Sequence, residues 1–267
     1  MRKYALGQLT VCGARPEELV EIAAWAGYDA ISPFLAAGGA GSLPAVPLKA
    51  GDVETTAMAR RLVDTGLRVH VGDGFVLHGA TDMDALRAGV ALMAQLGARA
   101  INAVHFDTDA SRGLDRFCQL NSWAREAGLI TLIEFTPLST ISGWRDALAY
   151  RERAGGDNIA LMVDLLHLRR SGGTVEEIAQ IDPSLIGAVQ LCDGPTESGP
   201  QGYREEAMYE RMIPGQGSLH AEKLLRVLPK DMLVDLEVPL RSLEQAGKDH
   251  FARAKLLLDA CRALDLR

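Results

Sequence analysis

Short apolar segments alternate with longer amphipathic segments along the whole chain. Strand-like apolar segments lie at residues 4–11, 30–34, 68–77, 99–106, 129–135, 158–164, 186–193 and 232–238. Helix-like segments follow them at 16–26, 52–66, 82–97, 111–127, 142–154, 174–180, 218–228 and 246–264. Eight β-α pairs at near-regular spacing predict an α/β protein, a closed parallel (β/α)8 barrel formed by residues 1–267 as a single domain. An open doubly wound sheet is the alternative.

Glycine and proline mark the predicted connections. Gly66, Gly97 and Gly128 each stand between a helix-like segment and the next strand, where a left-handed C-cap residue is expected. A stretch rich in Gly and Pro at 37–51 predicts a loop, and the one at 193–217 is too long for a simple connection. Because long loops after barrel strands are often functional, we expect 193–217 to cover an active site.

Composition favours a globular protein with a small-molecule partner. The chain has 267 residues, of which 48% are hydrophobic, and this is enough for a sizeable core. Its formal net charge is −7, and this acidic balance disfavours binding to nucleic acid or to an anionic membrane surface. The four cysteines lack CxxC spacing, and no segment resembles a membrane span or a secretion signal. These features predict reduced thiols and a cytoplasmic location, and they leave homo-oligomerisation open.

Four strand-like segments end in a residue that can bind a metal ion. The residues are Glu134 in TLIEF, Asp164 in ALMVDLLH, Gln190 in GAVQLCD and Glu237 in MLVDLEVP. In a parallel barrel the C-terminal ends of all strands meet at one mouth, so these side chains are predicted to converge there. All four supply oxygen atoms, and oxygen ligands favour Mg²⁺ or Mn²⁺ over Zn²⁺.

Further polar residues near the predicted mouth are candidates for the site. We expect His167 to be catalytic or to bind the metal, and we expect four residues to bind substrate, namely His70, His105, Arg204 and Arg211. The alternative for the histidines is a satisfied place in the core, and for the arginines it is a solvated surface. Asp235, two residues before Glu237, is predicted to face the same side of its strand one layer deeper.

Together, these segments resemble the xylose-isomerase-like TIM barrel superfamily over nearly the whole chain. The most specific parts are IEF with Glu134, VDLLH with Asp164 and His167, PGQG at 214–217, and DLEVP with Glu237. The superfamily includes sugar phosphate isomerases and epimerases, ketose 3-epimerases, 3-dehydroshikimate dehydratases and apurinic-site endonucleases. Its members bind one divalent metal through Glu, Asp, His and Glu, and the two glutamates also act as acid and base. The resemblance implies these roles for Glu134 and Glu237.

Two positions depart from the family pattern. Gln190 stands where most members have a histidine ligand, which is a variant known among the dehydroshikimate dehydratases, and Ser32 stands where many have a glutamate. The segment 193–217 contains no histidine to bind the extra metals of the endonucleases. This absence and the acidic charge argue against the endonuclease function.

The resemblance implies a divalent-metal-dependent sugar (phosphate) isomerase or epimerase, acting on a small polyhydroxy carbonyl compound such as a sugar or a keto-inositol. The metal would polarise the carbonyl, and a carboxylate would remove the neighbouring proton to form a metal-bound enediolate. Expulsion of a β-hydroxyl from that intermediate would make the protein a lyase of the 3-dehydroshikimate dehydratase type, which is the first alternative. A barrel that binds a metal or ligand without catalysis is the second. No Gly-rich phosphate loop indicates a phosphorylated substrate.

Overall fold

The protein is described by a computed structural model that covers residues 2–35 and 48–265. Its strands are β1 (Tyr4–Gly7), β2 (Ala30–Ser32), β3 (Arg68–Val69), β4 (Val71–Leu77), β5 (Ala100–His105), β6 (Ile130–Glu134), β7 (Ile159–Asp164), β8 (Ile186–Leu191) and β9 (Val234–Leu236). They form one parallel sheet in the order β3-β2-β1-β9-β8-β7-β6-β5-β4. Every strand lies within a segment that the hydrophobic pattern predicted.

The sheet closes because β3 and β4 together occupy one strand position. Only His70 separates them, and β3 pairs with β2 whereas β4 pairs with β5. The backbone N–H of His70 donates to the carbonyl of Ile31 at 2.8 Å, and that of Asp73 donates to the carbonyl of Pro33 at 2.9 Å. Eight strand positions therefore surround one axis. The predicted (β/α)8 barrel is confirmed, and the open sheet was the wrong alternative.

Helices surround the barrel and connect successive strands. They are α1 (Pro16–Ala26), α2 (Val53–Thr65), α3 (Met83–Gln95), α4 (Ala110–Glu126), α5 (Trp144–Arg153), α6 (Leu165–Arg170), α7 (Val175–Ile178), α8 (Tyr203–Tyr209), α9 (Ala221–Val227), α10 (Arg241–Gln245) and α11 (His250–Asp265). The short helices α6, α8 and α10 were not predicted from sequence. The three predicted cap glycines have φ values of +69°, +73° and +75°, as a left-handed cap requires. Most of the predicted loop 37–51 lies outside the described residues.

Side chains that point into the barrel are apolar towards its N-terminal end and polar towards its C-terminal end. A small apolar cluster fills the N-terminal half, formed by Val71, Ala100, Leu132, Ala160, Met162 and Ala188. Larger side chains such as Ile133 point outward into the main core between strands and helices. Because side chains alternate along a strand, Glu134 lies on the same inward face as Leu132, two residues further towards the mouth.

The register of the sheet aligns the polar ends of neighbouring strands. Met162 is the partner of Glu134, Asp164 is the partner of Gln190, and Gln190 is the partner of Asp235. Asp235 is fully buried, and Glu237 follows two residues later just beyond β9. The predicted ligands therefore lie at the same end of the barrel.

An irregularity in β4 changes which of its side chains face inward. The register with β5 shifts between Gly72 and Phe75, and Gly74 has a φ of +87°. Val71 belongs to the interior cluster, whereas Phe75 belongs to the core outside the barrel. A bulge of this kind bends a strand and redirects a side chain. Asp73, two residues after the inward Val71, stays on the inward face, and the bulge turns the large ring of Phe75 to the outside.

Within the described residues, no helix combines the length and apolar character needed to cross a bilayer. Cys12, Cys118, Cys192 and Cys261 form no disulfide within the described residues.

Candidate active site

The four residues predicted to bind metal are buried at the C-terminal mouth. Their exposed fractions are 6% for Glu134, 0% for Asp164, 1% for Gln190 and 5% for Glu237. Glu134 and Asp164 are the last residues of β6 and β7, and Asp164 also caps α6 by accepting the backbone N–H of His167 at 3.1 Å. This cap explains why His167 lies over the same mouth as Asp164.

Two side-chain amides link three carboxylates on one side of the mouth. The Nδ2 of Asn102 donates to Glu134 Oε2 at 2.7 Å and to Asp73 Oδ1 at 3.1 Å. The Nε2 of Gln190 donates to Asp73 Oδ2 at 3.3 Å and to Glu237 Oε1 at 3.2 Å. Asp73 is therefore linked to Glu134 through the amide of Asn102 and to Glu237 through the amide of Gln190.

A buried arginine and a histidine complete the circuit on the other side. Arg211 Nη2 lies 3.1 Å from Glu237 Oε2, and its Nη1 lies 2.6 Å from Asp164 Oδ2. His167 Nδ1 lies 3.8 Å from Asp164 Oδ1, and its Nε2 lies 3.4 Å from Glu134 Oε1. The eight side chains form one closed set of polar contacts, which we call the mouth ring: Asp73, Asn102, Glu134, Asp164, His167, Gln190, Arg211 and Glu237.

The mouth ring contains more carboxylates than cationic groups. Burial, reinforced by the nearby Glu134, raises the pKa of Asp73 to about 8. Burial also raises the pKa of Glu237 well above its usual value, although Arg211 opposes this effect. Burial would do the same to Asp164, but Arg211 and His167 hold its pKa below the usual range. Four buried carboxylates beside one guanidinium make a site that favours additional positive charge.

The segment 193–217 covers the mouth through α8, as predicted for a functional loop. Tyr203, the first residue of α8, places its hydroxyl 2.8 Å from His167 Nδ1 and 2.8 Å from Thr136 Oγ1. Arg170 holds the same helix through its bidentate contact with Glu206, at 2.8 and 2.5 Å. The cover is thus tied directly to the residue that contacts both Glu134 and Asp164.

The PGQG motif forms a tight turn around a buried aspartate. The Asp193 carboxylate accepts the backbone N–H groups of Gly194, Gly215 and Leu219, each at 2.9 Å. A Cβ atom at Gly217 would lie 2.4 Å from Asp193 Oδ1 and from the carbonyl oxygen of Gly194, so only glycine fits there. The motif therefore shapes the base of the cover and does not itself reach the mouth ring.

The remaining predicted site residues lie partly inside and partly outside the mouth ring. His167 and Arg211 belong to the mouth ring, but Arg211 is buried in ion pairs with two predicted ligands instead of presenting a free clamp to substrate. Arg204 is exposed on α8. Its expected role in substrate binding stays a prediction.

The two predicted substrate-binding histidines lie away from the mouth. His105 ends β5 on the outward face, since Asn102 three residues earlier points inward, and its ring packs against Tyr150 with centroids 5.2 Å apart. His70 lies between β3 and β4 at the opposite end of the barrel, beside Arg99 and Gly187 at the beginnings of their strands. Neither position supports the expected contact with substrate.

Sequence reasoning missed three members of the site. Asp73 was hidden because the bulge in β4 puts Phe75 outside the barrel, so the strand as a whole shows no alternation that marks Asp73 as inward. Asn102 lies within an apolar strand, where a single inward amide gives no distinctive pattern. Tyr203 was part of the long loop, and the Gly202 before it, with Glu205 and Glu206 in the first helical turn, was the only local sign of a helix there.

The ring provides the donors that a hard divalent cation requires. Glu134, Asp164 and His167 each offer a ligand atom, and these three atoms lie within 4.8 Å of one another. Two carboxylates and an imidazole, with an excess of negative charge around them, fit a divalent cation. Gln190 is oriented differently from expectation, because its amide nitrogen faces the carboxylates, and its Oε1 is buried without a hydrogen-bond partner among the described residues.

Comparison with known proteins identifies the family. Residues 20–265 match the model of the xylose isomerase-like TIM barrel. The chain belongs to this family. The resemblance noted from the strand-end motifs is therefore confirmed, and the match includes every residue of the mouth ring.

Individual relatives of the family are similar over different lengths. The inosose isomerase of Halalkalibacterium halodurans is 28% identical over 112 residues, which make up 41% of this chain and 38% of that protein. A structure of the IolI protein with a bound zinc atom has a TM-score of 0.79 and 16% identity, covering 98% of each chain. The D-allulose 3-epimerase of Methylomonas sp. has a TM-score of 0.73 and 14% identity, again with 98% coverage of each chain. At these identities the two structures are informative about the fold alone.

Proposed function

We propose that this protein is a divalent-metal-dependent isomerase or epimerase of a small polyhydroxy carbonyl compound, such as a ketose or a keto-inositol. The observation that supports this most is the pair of buried glutamates, Glu134 and Glu237, in one closed ring at the barrel mouth. The similarity of part of the chain to an inosose isomerase supports the same class of substrate.

The two glutamates approach the centre of the mouth from different strands. Glu134 ends β6 and Glu237 follows β9, and both β7 and β8 lie between them. One carboxylate removes the proton from the carbon next to the substrate carbonyl, and the other returns a proton from the opposite face, which inverts that carbon. Return of the proton to the neighbouring carbon gives isomerisation instead. A general acid or base within reach of the reacting carbon typically contributes about 10²–10⁴ in rate.

Neighbouring side chains orient each glutamate for this role. Asn102 donates to Glu134 Oε2, and His167 contacts the other oxygen, Oε1. Gln190 and Arg211 hold the two oxygens of Glu237 separately. Because each carboxylate has one defined contact at each oxygen, its direction is set before substrate binds, which reduces the reorganisation needed for proton transfer.

The oxygen atoms of Glu134, Asp164 and Glu237, with Gln190 beside them, would hold the divalent cation. Such a cation, when bound, polarises the carbonyl and lowers the pKa of the adjacent C–H bond. His167 lies beside both Glu134 and Asp164, so it can orient a substrate hydroxyl or accept its proton. The α8 segment above the site excludes water, and Tyr203 keeps the ring of His167 in place.

A substrate screen tests the proposal. The metal-free protein is supplied with Mn²⁺, Mg²⁺ or Zn²⁺ and incubated in D₂O with ketoses, inososes and 3-dehydroshikimate, and the products are followed by NMR. We expect deuterium at the carbon next to the carbonyl of one substrate class, dependent on Mn²⁺ or Mg²⁺. An unsaturated product that has lost water would assign the lyase instead. Turnover without α-deuterium exchange for every substrate would contradict proton abstraction by the glutamates.

A further inference from the structure

The position of Asp73 is not explained by the four ligands that the family pattern implies. β4 and β8 lie on opposite sides of the barrel, since three strand positions separate them in each direction around the closed sheet. Even so, Asp73 Oδ2 accepts a hydrogen bond from Gln190 Nε2 at 3.3 Å. The Asp73 carboxylate therefore reaches the barrel axis, where a cation held by Glu134 and Glu237 would lie.

Gln190 occupies the fourth ligand position but presents hydrogen-bond donors. An amide NH₂ group cannot coordinate a cation, and this one is shared between Asp73 and Glu237. If Gln190 turned its Oε1 towards a cation, both of those hydrogen bonds would be lost. Gln190 thus holds the carboxylates of Asp73 and Glu237 together. Asp73 is the fourth carboxylate at the axis, after Glu134, Asp164 and Glu237.

We propose that Asp73 is a ligand of the divalent cation, and that Gln190 is a positioning residue that holds Asp73 and Glu237 beside each other. This inference rests on the proposed function, because it concerns the same cation. The metal would then be bound by carboxylates delivered from β4, β6, β7 and the end of β9. Gln190 stands where most family members have a histidine ligand. A set of oxygen ligands alone would favour Mn²⁺ or Mg²⁺.

Hydrogen bonds around Asp73 support this role. Gly74, at the bulge in β4 and with a φ of +87°, donates its own backbone N–H to Asp73 Oδ1 at 2.7 Å. Asn102 donates to the same oxygen at 3.1 Å. Together with Gln190, these donors hold the carboxylate at the barrel axis.

Metal titration of matched variants tests the inference. Mn²⁺ binding is measured by calorimetry and by electron paramagnetic resonance on the wild type, Asp73→Asn and Asp235→Asn. Asp235 is a suitable control because it is a buried carboxylate whose oxygens accept no hydrogen bond from any member of the mouth ring. We expect Asp73→Asn to weaken Mn²⁺ binding by at least about 100-fold, and Asp235→Asn to change it by less than about threefold.

A crystal structure of the wild type with Mn²⁺ provides a test that does not require a folded variant. We expect the anomalous peak to lie about 2.0–2.6 Å from an Asp73 oxygen. A peak in that range of Gln190 Oε1, with Asp73 outside it, would overturn the inference, as would Asp73→Asn that folds and binds Mn²⁺ like the wild type. If the wild type bound no divalent cation at all, the proposed function itself would fail.

Discussion

Glu134 and Glu237 have similar surroundings but different partners. Glu134 contacts an amide and an imidazole, whereas Glu237 contacts an amide and a guanidinium. Both carboxylates are therefore held in place by their neighbours, and each can be replaced by the isosteric glutamine without leaving a cavity. Such replacements separate loss of chemistry from loss of fold.

We expect Glu134→Gln and Glu237→Gln each to lower turnover by about 10²–10⁴ while leaving thermal stability close to that of the wild type. Steady-state kinetics at saturating Mn²⁺ on a substrate identified by the screen measures this. Glu126→Gln, an exposed glutamate on α4, is the control and should retain full turnover. If excess metal restored both ring variants fully, the glutamates would be ligands only, and the proton transfer would belong to another group such as His167.

Arg211 is the only arginine or lysine within the mouth ring. Its loss leaves Glu237 without a cationic partner and Asp164 with His167 alone. We expect Arg211→Met to lower the free energy of unfolding of the metal-free protein by about 3–5 kcal/mol, because two buried carboxylates lose their ion pair. Urea denaturation in EDTA measures the change. Arg204→Met, on the same segment but exposed, should change stability by less than about 0.5 kcal/mol. Equal effects of the two variants would contradict the assignment of Arg211.

At the scale of elements, the short helix α8 connects the cover to the site. It was not predicted, because the segment is rich in Gly and Pro and seven residues do not produce a clear hydrophobic period. Its first residue nevertheless contacts His167, and its last turn is followed by the buried Arg211. Movement of this one element would therefore alter two members of the mouth ring together.

We expect Tyr203→Phe to lower kcat/KM by about tenfold, the effect of losing one hydrogen bond that positions His167. Tyr150→Phe is the matched control, since the Tyr150 hydroxyl is buried without a hydrogen-bond partner in the described part of the chain and packs against His105 outside the barrel. An unchanged kcat/KM in Tyr203→Phe would mean that Tyr203 only packs against the site.

At the scale of the whole molecule, the two ends of the barrel differ in their chemistry. The C-terminal mouth has four carboxylates and one guanidinium, whereas the N-terminal end has a cavity of about 900 Å³ in which Lys3, Arg68, His70 and Arg99 face only two aspartates, Asp29 and Asp231. This agrees with the general division of barrels into a functional face and a stabilising face. His70 lies at the N-terminal end, so its titration can be observed separately from the chemistry at the mouth.

Burial, with a smaller effect of Arg99, lowers the pKa of His70 to about 4 from about 6.5. Between pH 6.5 and 4 the unfolded chain then binds more protons than the folded chain, so stability falls as the pH falls through this window. We expect the wild type to lose about 2–3 kcal/mol more than His70→Gln between these pH values. Urea denaturation at a series of pH values measures both slopes. Identical slopes would show that His70 is protonated equally in both states.

Much of the architecture could be predicted from sequence because its causes are local. The alternation of apolar strands and amphipathic helices reports which face of each element is buried, and this is sufficient to specify the order of β-α units. The endings at Glu134, Asp164, Gln190 and Glu237 were visible for the same reason, since a polar residue after an apolar run marks the point where a strand leaves the core. Parallel topology then places all four at one end.

The composition of the mouth ring was decided by tertiary structure. Asp73 belongs to it because Asn102 and Gln190 hold its carboxylate at the axis, and Arg211 because it pairs with Asp164 47 positions earlier in the chain. Tyr203 contacts the ring because α8 folds back over His167. His70 lies outside it because it precedes β4, and His105 lies outside it because its ring points outward from the barrel. Which side chains meet at the axis depends on bulges, register and long-range ion pairs, and these contacts have no period along the chain. The sequence by itself therefore determined the barrel and the strand ends that form its mouth, whereas only the closed structure decided which carboxylates share that mouth and what holds them there.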